Sequence, residues 1–283
     1  MDTRKTFLLG VGSQKAGTSW LHKALASQSE CDFGFAKEYH ALNAMYLPEA
    51  NIRRQEVIQK WLEKREGHYS TWRGAPKSIQ LSFLLNHGAY YDFFASLLRH
   101  PSIRVTGDIT PIYSSLPEDV FATVKREFEA RSVSVKPVFI MRNPVYRLRS
   151  YVRMVFRDAG VDPSYEEEIE AMRGYVGTYE DMRRVNYKNT VQSLANVFGK
   201  SALFFFYEDF FNPKAMRVIE EVTGMEVRGV KYRQKVGSSG DGHLLLEEDY
   251  RDFEVAYQDI FDYCRRAFPT VQIDRIWRYS PSR

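Results

Sequence analysis

The stretch Gly12-Ser13-Gln14-Lys15-Ala16-Gly17-Thr18-Ser19 holds the chain's densest set of groups that handle anions. Glycines at this spacing let backbone N–H groups curl around a phosphate or sulfate, and a helix opening at its end adds partial positive charge. Thr18 and Ser19 contribute hydroxyl donors, and Lys15 places a full cation inside the loop. The pattern nearly matches the nucleoside-triphosphate loop G-x-x-x-x-G-K-[ST], except that Thr18 stands where that loop has its lysine. No apolar strand ending in a clear magnesium-holding aspartate accompanies it, Asp108 being the nearest candidate. The chemistry on offer is therefore phosphate binding without the usual ATP/Mg²⁺ equipment. A plain Gly-rich turn would carry the same glycines; the strand–loop–helix setting favours the anion site.

A second anion site is legible in Val138-Phe139-Ile140-Met141-Arg142-Asn143-Pro144, which runs on to Ser150. The apolar run ends at Arg142, Pro144 suits the first turn of a helix, and Ser150 follows two turns later. An arginine at a strand's carboxyl end faces the crevice where open α/β sheets bind ligands, and a guanidinium grips phosphate well. Arg147, Arg149, Arg153 and Arg157 follow on the same helix and read as solvated or acid-paired rather than as ligands.

The elements that must position these groups alternate. Apolar runs at Phe7 to Val11, Ile103 to Thr106, Pro137 to Met141 and Leu203 to Tyr207 read as buried strands. Helical patterns at Ser19 to Ser27, Tyr90 to Arg99, Val120 to Glu129 and Asn186 to Phe198 separate them. This order predicts an α/β fold of P-loop type, an open and mostly parallel sheet flanked by helices. No linker or repeat divides residues 1–283, so one domain is expected, with 41–88 as a substrate-side insertion rich in aromatic residues (Trp61, Tyr69, Trp72) and carrying Arg73. A second stretch, Asp158 to Tyr179, carries Glu166-Glu167-Glu168, read as a solvated helix face.

Composition narrows the class further. Forty Lys+Arg against thirty-six Asp+Glu give +4, too mild for a dedicated nucleic-acid binder but compatible with a local cationic site. Two cysteines, Cys31 and Cys264, are too few for a disulfide framework or a cysteine zinc site and fit a reducing compartment. No stretch supplies the roughly 20 apolar residues of a membrane span. The expectation is a cytoplasmic protein with no nucleic-acid partner, no membrane span and no metal.

In combination, these motifs resemble the sulfotransferases that use 3′-phosphoadenosine-5′-phosphosulfate (PAPS). Gly12 to Trp20 looks like that family's phosphosulfate loop, P-K-[ST]-G-T-[ST]-W, with Gln14 in place of the proline and Ala16 in place of a hydroxyl residue or glycine. Arg142-Asn143-Pro144, with Ser150 eight residues after Arg142, looks like its 3′-phosphate site. Tyr187, Leu194, Phe198-Gly199, Tyr207-Glu208-Asp209 and Asn212-Pro213 resemble its Y…L…FG…YEDL..P stretch. Lys235-Val236-Gly237-Ser238-Ser239-Gly240 resembles its flexible loop over the nucleotide. The resemblance implies that PAPS is held by Gln14, Lys15, Ala16, Gly17, Thr18, Ser19, Trp20, Arg142, Ser150, Tyr207, Lys235, Gly237, Ser238, Ser239 and Gly240.

It also implies roles in the reaction. Lys15 would stabilise charge on the leaving phosphate. Lys37-Glu38-Tyr39-His40 resembles the K-E-x-H segment of the carbohydrate, heparan-type branch, which makes Glu38 the general base and His40 the runner-up. Gly107-Asp108-Ile109-Thr110-Pro111-Ile112-Tyr113 resembles G-E-[KS]-[ST]-P-x-Y, with Ile109 where glycan enzymes often carry lysine. Asp108 is then expected to orient substrate or to pair with Lys15 or Arg142, and Trp72 to stack on a sugar ring. The resemblance implies a hydroxyl-bearing acceptor, a carbohydrate ahead of a tyrosyl peptide or small alcohol. A P-loop kinase and a non-catalytic nucleotide- or glycan-binding module are the competing readings.

Overall fold

The computed structural model describes residues 5–47, 55, 58–59, 75–232 and 243–280. Trp61, Tyr69, Trp72, Arg73 and the stretch from Lys235 to Gly240 lie outside the described residues.

Strands β1 (Thr6–Gly12), β2 (Val105–Ile109), β3 (Ser134–Met141) and β4 (Leu203–Phe206) form one sheet in the order β2-β1-β3-β4. All three pairings are parallel, as the alternation of strand and helix predicts. Every residue of β1 and β2 is buried, because helices cover both faces. Side chains alternate along β1: Phe7, Leu9 and Val11 enter one apolar layer and Leu8 the other. Two-sided burial is why β1 shows no polar alternation in sequence.

Helices follow the strands: α1 (Thr18–Ala26), α2 (Ala41–Tyr46), α3 (Ala75–Leu85), α4 (His87–Leu97), α5 (Glu118–Glu129), α6 (Pro144–Asp158), α7 (Tyr165–Tyr175), α8 (Tyr179–Arg184), α9 (Tyr187–Phe198) and α10 (Pro213–Thr223). Glu247–Ala256, Gln258–Ala267 and Ile273–Ile276 complete the helices described. No helix among the described residues is long and apolar enough to cross a membrane.

The larger layer is aromatic. Phe7 stacks on Phe128 at 4.0 Å between centroids and meets Phe94 edge-on at 4.9 Å. Each such side chain, fully buried, contributes about 1.5–3 kcal/mol. Leu42, Met45 and Phe83 belong to this same layer, so α2 and part of α3 are built into the main core. The opposite layer packs Trp20, Leu21 and Leu25 of α1 against Phe210, Met216 and Ile219.

Two sequence expectations are corrected. The strand expected at Ile103 to Thr106 runs instead from Val105 to Ile109, carrying Asp108 into the sheet. The glutamates of α7 are not one solvated face: Ser164 and Glu167 form a capping box, and Glu168 is buried against Arg149 at 2.5 Å. A charge run shows its number in sequence but not which member turns inward.

Candidate active site

Parallel strands put the ends of β1, β2 and β3 side by side, and the loop after β1 sits between the other two. Ser13 anchors that loop to β3, its N–H donating to the Ile140 carbonyl at 2.8 Å and its hydroxyl to the same oxygen at 3.1 Å. Two glycines are required by shape. Gly12 sits at φ +126° with the Pro111 carbonyl 2.6 Å from where a Cβ would lie, and Gly17 at φ +84° with the Phe211 ring 2.8 Å away. Lys15 is itself left-handed at φ 66°, an uncommon state for a residue with a side chain. Gly17 provides no side-chain cap, so the first N–H groups of α1 stay open to an anion.

The Arg-Asn-Pro triplet after β3 divides its tasks. Pro144 occupies the first turn of α6, and the Asn143 side chain caps that helix by accepting from Val145 N–H at 3.0 Å. The Asn143 amide donates to the Trp277 carbonyl at 2.7 Å and to the Tyr250 hydroxyl at 2.9 Å, so its polar atoms are committed to structure. Arg142 is held differently: it donates to the Lys15 carbonyl at 2.7 Å and lies over the Tyr207 ring at 4.3 Å. Its Nε is buried without a partner among the described residues. Beneath it, Glu208 accepts from Asn143 N–H at 3.2 Å and Trp277 Nε1 at 2.9 Å. Burial raises the Glu208 carboxyl while Arg142 pulls it down. Ser150, eight residues on, lies half-buried on α6.

On the β2 flank, Lys37, Glu38 and His40 form a charged cluster. Lys37 Nζ donates to Glu38 at 2.5 Å and to the Thr18 hydroxyl at 3.3 Å, while His40 Nε2 lies 3.3 Å from the other Glu38 oxygen. Burial works to raise Glu38, but the hydrogen bonds from His40 and Lys37 outweigh it and bring the carboxyl to about 2. Lys15 is lowered to about 8, first by burial and then by Arg157, Arg142 and Lys37, with Asp158 opposing. The loop is therefore a place of converging positive charge that an incoming anion relieves.

Asp108 is not where the sequence suggested. It is fully buried, with Thr110 Oγ1 and Tyr113 OH each donating at 2.6 Å, Tyr90 OH at 3.1 Å and Tyr39 N–H at 3.3 Å. Both oxygens are taken by these donors, and the expected pairing with Lys15 or Arg142 is not formed. Trp20 is also a core residue, 4% exposed, its ring 5.1 Å from Phe211 and 5.5 Å from Phe210; it supports the loop from beneath. Trp72, Lys235, Gly237, Ser238, Ser239 and Gly240 fall outside the described residues.

The structure adds Arg184, which donates to the Gln14 side chain at 2.5 Å and to the Tyr175 hydroxyl at 3.1 Å. Gln14 stands where the resembling loop has proline, and that departure was the one hint in sequence that the loop has a polar partner. Lys37 lay within the K-E-x-H segment, yet its bridge to Thr18 needed three dimensions.

No protein-family model and no curated protein matches the chain. Solved structures do. A sulfotransferase from Alicyclobacillus acidocaldarius superposes with a TM-score of 0.62 at 15% identity, covering 97% of this chain and 99% of that one. The sulfotransferase domain from the curacin biosynthetic pathway gives 0.48 at 15% identity over 83% of this chain and 80% of its own. Sulfotransferase STF9 from Mycobacterium avium gives 0.47 at 9% over 93% and 77%. At such identities the likeness speaks for architecture, and the first of these matches carries it: the chain has the α/β fold of the Alicyclobacillus acidocaldarius sulfotransferase.

Proposed function

We propose that the chain is a PAPS-dependent sulfotransferase that moves a sulfuryl group to an acceptor hydroxyl, with Lys15 beside the leaving phosphate and Glu38 as general base. One observation carries the reading. Arg142 and Lys15, from two different strand ends, are tied together at 2.7 Å through the Lys15 carbonyl, and neither meets a carboxylate within salt-bridge distance among the described residues. Buried Nε of Arg142 adds an unused donor at the same place. These groups fit a ligand carrying two phosphate-type anions.

The bound donor would supply the sulfuryl group through its sulfate–phosphate anhydride. Loop N–H groups, Thr18, Ser19 and Lys15 are the groups to hold its phosphosulfate end, with Arg142 and Ser150 for the 3′-phosphate. Lys15 stabilises charge that develops on the departing oxygen, and it does so without rearranging, because its backbone is fixed by the loop. Glu38 takes the acceptor's proton. At rest its carboxyl is a weak base, held down by His40 and Lys37. Lys37 is shared between Glu38 and Thr18, so an anion at the start of α1 competes with Glu38 for it. Drawing Lys37 toward that anion removes one of the two groups that depress Glu38, and its basicity rises as the site fills. The carbohydrate acceptor rests on the K-E-x-H resemblance of Lys37 to His40.

Thermal-shift titration separates this reading from its competitors. Stabilisation by 3′,5′-adenosine bisphosphate (PAP), lost in Arg142→Ala, supports it; stabilisation by ATP/Mg²⁺ alone overturns it in favour of a kinase. Turnover of a radiolabelled sulfuryl donor over sugars, tyrosyl peptides and small alcohols then decides the acceptor class.

A further inference from the structure

The K-E-x-H segment has no helix or strand of its own until α2 begins at Ala41, yet its backbone is fixed at successive points to groups at and beyond the end of β2. The Lys37 carbonyl accepts from Ile109 N–H at 3.0 Å, Tyr39 N–H donates to Asp108 at 3.3 Å, and His40 N–H donates to the Thr110 hydroxyl at 3.5 Å. Leu42 N–H donates to the Tyr113 hydroxyl at 3.2 Å. Thr110 and Tyr113 in turn each donate to Asp108 at 2.6 Å. One buried carboxylate thus orients both hydroxyls that receive the segment's N–H groups, besides receiving one such group directly. His40 sits at φ 54°, a conformation that a bulky residue keeps only when its surroundings hold it. Among the described residues Asp108 has no cationic partner, and four neutral donors satisfy it.

We propose that Asp108 is a positioning residue: with Thr110 and Tyr113 it holds the backbone of residues 37–42 so that Glu38 and His40 face the Lys15 loop. The assignment rests on the reading of Glu38 as base, but the placement of His40 can be tested without it. A misplacement of about 1 Å at a reacting group costs on the order of 100-fold in rate.

The test uses the full chain labelled with ¹⁵N-histidine. Asp108→Asn and Thr110→Val are expected to shift the His40 ring resonances, assigned by their loss in His40→Gln, and Thr110→Ser to restore them. Tyr90→Phe, which removes a donor that touches no part of the segment, shifts them least. In turnover, Thr110→Val is expected to lower kcat about 100-fold with PAP affinity within about twofold of the parent, a split that general destabilisation does not produce. His40 resonances unchanged in folded Asp108→Asn and Thr110→Val, or kcat unchanged in Thr110→Val, overturn the proposal. If Asp108→Asn fails to fold, Thr110→Val and its serine rescue decide alone. A parent chain that neither binds PAP nor turns over sinks the sulfotransferase reading instead, and the histidine spectra still decide the positioning.

Discussion

Arg142 and Arg147 flank the start of α6, and the protein treats them in opposite ways. Arg147 is fully buried and ion-paired with Asp181, which also accepts from the Tyr257 hydroxyl at 2.5 Å and from Gly177 N–H at 3.1 Å. Arg149, on the same helix, is paired with buried Glu168 and donates to the His243 carbonyl. Arg142 leans on an aromatic ring and a carbonyl, with no carboxylate within salt-bridge distance among the described residues. Arg147 has its charge met by a buried carboxylate, although its Nε and Nη1 find no hydrogen-bond partner among the described residues. Arg142 feels Glu208 only beyond salt-bridge distance and keeps more of its charge for a ligand. Under the proposed function, what separates a structural arginine from a binding arginine here is the partner.

That contrast can be attacked directly, beginning with the largest effect. Asp181→Ala leaves Arg147 buried and uncompensated, and the expected loss is about 3–5 kcal/mol of stability. Urea unfolding should report it, while PAP affinity of the remaining folded protein stays near the parent value. Lys15→Ala is the mirror case. Removing a preorganised cation from the reacting centre should lower kcat by about 100- to 1,000-fold, with a melting temperature equal to or above the parent's. A melting temperature that falls instead would make Lys15 structural.

Arg142→Ala tests the arginine side of the contrast. Loss of charged hydrogen bonds, about 1.5–3 kcal/mol, should weaken PAP binding on the order of 10- to 100-fold in calorimetry, with little change in urea midpoint. The smallest effect concerns pH. Lys15 is lowered to about 8, so it is cationic below that value and loses its charge as pH rises through it. Under the proposed mechanism kcat/KM should therefore fall on the alkaline side near pH 8, and Lys15→Arg should remove that limb. A limb that persists in Lys15→Arg belongs to another group.

The sequence made the sheet readable because its strands are covered on both faces and appear as continuous apolar runs; Phe7 to Val11 lies inside β1, and Pro137 to Met141 inside β3. The two phosphate motifs were readable because each is local, a strand end and a helix start within a few residues. Residues that act across the chain were hidden. Arg184 meets Gln14 from 170 positions away, and no periodicity records that. Asp108 was visible but its partners were not, since the hydroxyls that donate to it come from Tyr90 as well as from its own turn. Glu168 shows the same limit: the two glutamates before it are exposed, and its partner Arg149 is 19 positions distant.

The strand order β2-β1-β3-β4 has a consequence for how this site can change over evolutionary time. Arg142 reaches the central loop from β3 on one side, and Glu38 and His40 reach it from the β2 side. The two flanks share the loop but little else, since Asp108 and its hydroxyls stabilise one and Asn143, Trp277 and Tyr250 the other. Substitutions on the β2 flank can therefore alter what meets Glu38 while the anion grip on the β3 flank is preserved. Under the proposed function, such a layout lets selection explore new acceptors without relearning the donor.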